Sequence, residues 1–593
     1  MALQAGGTVQ CFDLVSRRCL EELARRPLLA GIVLVTLVFC CVAPGLLLLP
    51  PVDRTEVFFA SNARQLAEAG TWTGLDAVSI RKPVGAVWLQ SLAARLGLPT
   101  DAIATYRLAS LLCTMLGVWL AFRFYRPVIG ADAAFIAAAL VAVTPVLVLQ
   151  AHLAIAEPLV FPALVAAQLS MLRLYAAPSG ERVRGAATVF WIAQGLSIPL
   201  NAFSVPIVSA TTLAALWILD RRCSLLACLR PWIGIAVTVI MAALWIAAST
   251  AAYGEPPWRG LSLRELLSAL AGSQQMNFPA YPGLFVASLQ VGFVPAQLLL
   301  LSAVLRHRAL GLTPVTRFLL ASMGGYLVYL ELLSDKPALY VAQNLFVPAA
   351  GLVAVTVVES WKRRDGFRVD LATAIFAAAG IAAVPVAAYM LHRMVAAEVP
   401  LMTWFMAASV VTLLMLAVVA ARRSQLGAWL VLGIAGVAVL NVLAFVVVLS
   451  NLNPFWVSRE IAQTLGTLEQ CPGGPVDVIG YREPSLPFVL GHRVRSSWST
   501  DVAQASSTRG AVMVIVEHRW QRDLEEEFAR RSRLALRRVA CASGVNVARG
   551  CGLMFSFYVA GRPEQIAACR SRAPDRCPSL SAAAIRDLGR DCT

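Results

Sequence analysis

Directly after the apolar run "GIVLVTLVFCCVAPGLLLL", the chain turns to "PPVDRTEVFFASNARQLAEAGTW", which opens with Asp53, Arg54 and Glu56. Arg81 and Lys82 follow in the same connection. His152 and Glu157 share the tight turn "QAHLAIAEP", and Glu331, Asp335 and Lys336 share "LELLSDKPALY". Taken singly, each of these residues fits a polar cap on an apolar helix, touching water or headgroups. Acids and bases converging at one place suit a site that binds a phosphate and activates a hydroxyl or an amine. A carboxylate acts there as general base. Lysine or arginine holds the phosphate and stabilises charge on a leaving group.

The elements that must position these residues are membrane helices. The 593 residues are 58% hydrophobic and 14% charged, with a mean hydropathy of +0.70; soluble domains carry about 25% charged residues. Apolar runs of about 20 residues, enough to cross a hydrocarbon core, recur at 27–49, 105–124, 132–150, 158–176, 187–201, 203–219, 231–251, 284–305, 316–334, 338–358, 369–391, 401–420 and 427–450. About thirteen spans are expected, with the fifth and sixth interrupted by "SIPLNAFSVP". The formal charge of +16 lies largely in alternate short loops such as "RFYR", "ERVR", "RHR" and "WKRR". That is the positive-inside pattern, and it calls for no nucleic-acid partner. Arg17, Arg18, Arg25 and Arg26 place the N-terminus in the cytoplasm, and the first run reads as a retained anchor rather than a cleaved signal. The same rule puts the three charged turns on the outer face.

Three segments are expected outside: 50–104, 252–283 and the tail from 451 to 593. In the first, Val57, Phe58, Ala60, Ala63, Leu66 and Ala67 have a helical period that Gly70 stops, and Pro83 opens a second helix over 84–96 with Trp88, Leu89 and Leu92 as its apolar stripe. The pattern fits helices lying on a membrane surface and fits equally well helices packed on a neighbouring domain. In the tail, "PVDVIGYREPSLPFVLG" and "GAVMVIVEHRW" each contain a β-branched apolar strand beside a turn signal, "GLMFSFYVAG" reads as another strand, and "QRDLEEEFARRSRLALRRVA" as a charged helix. The fold class is therefore a mainly α polytopic membrane domain, 1–450, followed by a small extracytoplasmic α/β domain, 451–593.

Six of the thirteen cysteines, Cys471, Cys541, Cys551, Cys569, Cys577 and Cys592, fall in this tail. They suggest disulfides, with fifteen possible pairings. No residue cluster demands a metal, and no cofactor is implied. Phosphate-loop, zinc-protease and dinucleotide motifs are not recognisable. A transporter would place polar groups near mid-bilayer on broken helices, whereas the middles of most spans are apolar.

The charged turns resemble motifs of the bacterial membrane glycosyltransferases related to protein O-mannosyltransferases and to the lipid A aminoarabinose transferase. That family has a GT-C fold with a large first periplasmic loop and uses sugars carried on polyprenyl phosphate. Its members carry an Asp-Glu pair ahead of a helix ending in Gly-Asp-Trp/Phe, and then Lys-Pro before an aromatic-rich helix; here Glu56 matches the glutamate, Lys82–Pro83 the Lys-Pro, and Thr55 stands where the catalytic aspartate is expected. Ala156–Glu157 stands in place of a Thr-Asp. "SDKPALYVAQNLFVPA" resembles a Lys-Leu-Pro-His-Tyr pattern through Lys336 and Tyr340, with Leu339 at the histidine. "GYREPSL" resembles a Gly-Tyr-x-Glu-Pro-Ser-Leu motif of the external domain in some members. A Lys-Gly-Pro turn appears as "PLNAFSVP", and "QQMNFPAYPG" lacks an expected histidine.

The resemblance implies a hexosyl- or pentosyl-type transferase of the bacterial inner membrane. Its donor would be a polyprenyl-phosphate sugar, and its acceptor a lipid, glycan or protein at the periplasmic face. Glu56 or Glu157 would be the catalytic base. Asp53, Arg54, Arg81, Lys82, Lys336 and Tyr340 would bind substrate, with the two lysines on the carrier phosphate. The alternative is a catalytically silent relative that binds polyprenyl lipid or a partner enzyme.

Overall fold

The computed structural model describes residues 2–571 apart from 53–54, 73–83, 178–183, 202–203, 222–224, 226–227, 254–282, 295, 334–342, 364–400, 532 and 547–550. The chain begins with an unforeseen helix, α1 (Ala2–Arg25), ahead of the first apolar helix, α2 (Pro27–Leu48). Asp13 of α1 accepts a hydrogen bond from the Ala428 N–H at 2.9 Å, and Arg17 lies over the Trp361 ring. A carboxylate at a helix N-terminus is favourable because the first N–H groups lack partners there.

The connection after α2 holds α3 (Thr55–Glu68) and α4 (Val84–Arg95). Gly70, at φ +67°, ends the first of these helices. The face that α4 buries differs from the expected stripe. Val84, Gly85, Ala86, Val87, Gln90, Ser91 and Ala94 pack inward, while Leu92 is 42% exposed. Small residues allow close helix packing; Trp88 and Leu89 are half-buried against the same cluster, and of the expected stripe only Leu92 faces outward.

The apolar helices follow as α5 (Ile103–Ile129), α6 (Ala131–Val143), α7 (Pro145–Ala151), α8 (Ala156–Ala176), α9 (Arg184–Asn201), α10 (Ser204–Asp220), α11 (Pro231–Tyr253), α12 (Leu284–Gly292), α13 (Gln297–Leu310), α14 (Pro314–Val328), α15 (Gln343–Arg363), α16 (Leu401–Arg422) and α17 (Leu426–Val442). Among the described residues five helices are long and apolar enough to cross a membrane, or six if the α6–α7 pair, bent by 59°, is one span. The bend falls where Pro145 opens α7, since proline cannot continue the hydrogen-bond ladder. The run expected at 284–305 is broken into α12 and α13, and the one expected at 369–391 lies outside the described residues. Gly45 in α2 shows how closely these helices approach: a Cβ there would lie 2.6 Å from His152 Nε2 and 2.9 Å from Phe445 Cβ.

The tail folds as α18 (Val457–Gly466), β1 (Leu468–Glu469), β2 (Val476–Ile479), α19 (Ser485–Leu490), β3 (Val494–Ser496), α20 (Ser499–Arg509), β4 (Val512–Glu517), α21 (His518–Ala529), β5 (Ala535–Asn546), β6 (Cys551–Gly561), α22 (Pro563–Ile566) and β7 (Arg570–Ser571). The main sheet has the order β3-β2-β4-β6-β5. Its first three strands are parallel, and β6 and β5 are antiparallel additions. One face packs on Val457, Ile461, Leu486 and Ile566. The other packs on Val502, Ala503, Leu524 and Phe528. The charged stretch read as one helix is split: α21 ends at Ala529, and the continuation is edge strand β5. Exposed Arg537 and Arg538 on that edge discourage further strand pairing. Cys471 and Cys569 are joined in a disulfide, and Cys541 is also disulfide-bonded.

The two parts meet through α19. Phe488 is buried in the cluster of Val57, Phe59, Ala63 and Tyr106, with the Tyr106 ring 6.1 Å away and the Arg64 guanidinium 5.9 Å from its own ring. Truncating a buried phenylalanine costs about 3–5 kcal/mol. Phe488→Ala should therefore lower the thermal unfolding midpoint of the purified full chain, and an unchanged midpoint would show that this contact carries no stability.

Candidate functional site

Glu56 sits in the first turn of α3. Its side chain is 1% exposed, and that of its partner Arg107, from α5, is 0% exposed. Arg107 Nε donates to Glu56 Oε1 at 2.7 Å and Nη2 to Oε2 at 2.8 Å. The Ala154 N–H donates to Oε1 at 2.8 Å, and the Val52 N–H to Oε2 at 2.8 Å. An ionised carboxylate offers about four acceptor positions, and here all are taken.

Arg107 is equally saturated. Its remaining N–H groups reach the Leu46 carbonyl at 3.2 Å, the Leu49 carbonyl at 2.7 Å and the Pro50 carbonyl at 2.9 Å. These carbonyls lie at the end of α2, where a helix leaves acceptors unpaired and where its dipole favours a cation. One guanidinium therefore joins α2, α3 and α5. Its signal in the sequence was an arginine inside the apolar run that begins at 105, since a charge within a span demands a partner.

Through Ala154, the same carboxylate holds the turn that carries Glu157. That turn is fixed twice more: Ser110 Oγ of α5 donates to the Leu153 carbonyl at 2.7 Å, and Gln90 Nε2 of α4 to the Ile155 carbonyl at 3.4 Å. Glu157 follows in the first turn of α8 and is half-buried. Its backbone carbonyl accepts from Gln343 Nε2 at 3.2 Å, which brings the start of α15 to the same turn. Of the two expected bases, then, Glu56 is fully engaged, and Glu157 stands on a turn that Glu56 helps to hold.

Asp53, Arg54, Arg81, Lys82, Lys336 and Tyr340 lie outside the described residues. Asp335 lies outside them too, whereas His152 and Glu331 have structural partners. The buried His152 ring stacks on Phe445 with centroids 4.1 Å apart, and its Nδ1 lies 2.7 Å from the Val148 carbonyl. Glu331 accepts from the N–H groups of Gly283, Phe285 and Val286 at 2.8, 2.9 and 3.1 Å, capping α12. Among the described residues no group of three or more His, Cys, Asp or Glu is placed to hold a metal ion.

Sequence reading also passed over a neutral polar cluster within the helices. Gln168 of α8 and Gln194 of α9 both donate to Ser209 Oγ of α10, at 3.0 and 2.7 Å. Thr212 and Ser322 donate to Gln168 Oε1 at 3.3 and 3.4 Å. The cluster joins α8, α9, α10 and α14 without a charge, which suits hydrogen-bonded contact between helices in lipid.

The helical bundle, the helices α3 and α4 and the C-terminal sheet together define a polytopic membrane protein with the GT-C fold. The particular likeness is to ArnT from Cupriavidus metallidurans. Its crystal structure bound to undecaprenyl phosphate superimposes with a TM-score of 0.65 and 17% identity, over 91% of this chain and 98% of that one. The apo structure gives a TM-score of 0.61 and 16% identity over the same shares. At these identities the likeness is one of fold. No protein-family model and no curated protein sequence matches the chain.

Breaking a buried ion pair by removing one partner typically costs 3–5 kcal/mol, whereas replacing both charges with apolar groups is often close to neutral. Glu56→Met and Arg107→Met should each lower the thermal midpoint of the purified protein, and the double variant Glu56→Met/Arg107→Met should recover part of the loss. Additive losses would show that the two side chains do not act as a unit.

Proposed function

We propose that this chain is a membrane glycosyltransferase. In this reading it moves a sugar from a polyprenyl-phosphate donor to a lipid, glycan or protein acceptor at the periplasmic face of the bacterial inner membrane. The N-terminus is cytoplasmic and the C-terminal domain periplasmic. The observation that carries the reading is the Glu157 turn, held by bonds from α3, α4 and α5 within a fold like that of ArnT. Catalysis depends on groups positioned before the reaction begins, and a turn fixed on three sides supplies that condition for an acid.

Glu157 is the proposed base. It takes the proton of the acceptor hydroxyl as that oxygen attacks the anomeric carbon. The bond from that carbon to the carrier phosphate breaks, and its electron pair leaves with the phosphate. Lys82 and Lys336 hold the departing phosphate, while Asp53, Arg54, Arg81 and Tyr340 bind the rest of the donor. Glu56, expected as a second candidate base, is assigned to positioning: its acceptor positions are occupied.

One observation favours the alternative of a silent, lipid-binding relative. Thr55 opens α3 beside Glu56 at the position matched to the family's aspartate, and threonine is no substitute base at neutral pH.

The purified chain in nanodiscs, offered a panel of labelled polyprenyl-phosphate sugars, should transfer at least one of them. Glu157→Gln should reduce turnover by about 10²–10⁴-fold, the usual share of a general base, with the thermal midpoint kept. Lys82→Ala and Lys336→Ala should weaken donor binding. Carrier binding without turnover on any donor would establish the silent reading, and carrier binding undiminished in both lysine variants would remove them from the phosphate site.

A further inference from the structure

The parallel strands β3, β2 and β4 all end at one edge of the external sheet. From β2 the chain crosses through α19 to β3 on one side, then through α20 to β4 on the other. That reversal is a switch point, and in open α/β sheets ligands bind in the crevice outside the carboxyl ends of the strands at such a point.

Here the edge carries two tryptophans. Trp498 follows β3 and Trp520 lies in the first turn of α21. Their ring centroids are 5.5 Å apart at 71°. The guanidinium of Arg482, just past β2, stands 5.3 Å over the Trp498 ring. Trp498 nevertheless remains 51% exposed. Gly480 makes room for this arrangement: at φ +87° its position has a Cβ site only 2.4 Å from Trp520 Cδ1 and 3.0 Å from Glu517 Oε2. Carboxylates complete the edge. Glu517 Oε1 accepts from Arg519 Nε at 2.7 Å, and Asp523 accepts from Ser499 Oγ at 2.6 Å.

We propose that this edge is a saccharide-binding subsite for the acceptor, an assignment that rests on the glycosyltransferase reading above. An indole face is negative and attracts the weakly positive C–H face of a sugar ring. Arg482, Arg519 and Asp523, all exposed, donate to and accept from hydroxyls around it. A few polar groups beside an aromatic surface are the usual means of orienting a small ligand. The interleaved acids argue against docking on an anionic lipid surface, which favours unbroken basic charge.

The location supports the same occupant. α19 leaves this edge three residues beyond Arg482, and its Phe488 is buried among Val57, Phe59 and Tyr106 at the outer helices. The tryptophan edge is therefore tied to the face that carries the Glu56 and Glu157 turn, where an acceptor has to arrive.

The test uses the full chain in nanodiscs and fluorescently labelled oligosaccharides of neutral, amino and phosphorylated hexoses. At least one should bind. Trp498→Ala and Trp520→Ala should each weaken that binding about tenfold, the scale of one aromatic contact, and Trp498→Phe should retain part of it. If Trp498→Ala perturbs folding, the surface variant Arg482→Ala should still weaken binding with an unchanged thermal midpoint. The proposal is overturned if no oligosaccharide binds, or if binding is indifferent to Trp498→Phe and Arg482→Ala. It is also overturned if these variants lose capture of anionic phospholipid vesicles instead. Turnover without oligosaccharide binding would remove this subsite and leave the transferase. Tryptophan-dependent binding without turnover on any donor would do the reverse.

Discussion

The buried pair of Glu56 and Arg107 is the constraint on which one end of the helical bundle depends. Two charges removed from water are tolerable only when attraction and hydrogen bonds replace their hydration. Here replacement is complete on both sides, with backbone groups of Val52 and Ala154 on the acid and three carbonyls on the base. The consequence reaches beyond stability. The end of α2, the start of α3, the outer part of α5 and the turn before α8 form one hydrogen-bonded body. None can shift without exposing a charge to an apolar interior, so the geometry of the Glu157 turn is inherited from an ion pair several residues away.

The external region attaches to that body by a different force. Phe488 contributes apolar burial beside Tyr106 and Arg64, and the loop that delivers it contains the "GYREPSL" stretch. Within that stretch Ser485 lies 2.5 Å from Ser458 by their hydroxyls, and Tyr481 packs edge-on to Phe555 at 5.1 Å. Most of the motif therefore shapes the loop leaving β2 and aims α19 at the outer helices. The stretch thereby sets where the C-terminal sheet sits against the helices.

Membrane helices were legible in the sequence because apolar length is a direct record of bilayer thickness, and the strands β2, β4 and β6 because β-branched and aromatic runs stood between turn residues. Other features depend on partners far along the chain. Glu56 was visible as an acid near a span, but whether its oxygens are available depends on Arg107, 51 residues away. Glu331 looked like a member of a charged cluster, and its partners proved to be the N–H groups that open α12, 45 to 48 residues back. The strand β5 was concealed for the opposite reason. Its arginines continued the charge pattern of α21, and only pairing with β6 distinguishes an arginine-bearing edge strand from a helix.

The same dependence bears on the meaning of Thr55. Thr55 adjoins a carboxylate whose acceptor positions are all taken, two of them by Arg107, so the pair needs no further acid at that position. Glu157 is separated from that acid in sequence but joined to it by one hydrogen bond through Ala154 and three residues of turn. The base proposed at Glu157 makes no demand on this pair, because Arg107 has no N–H left to engage a second acid. A base on the turn keeps its charge outside the saturated pair and stays fixed by it. A threonine at position 55 and a positioned acid at position 157 are therefore compatible in one structure.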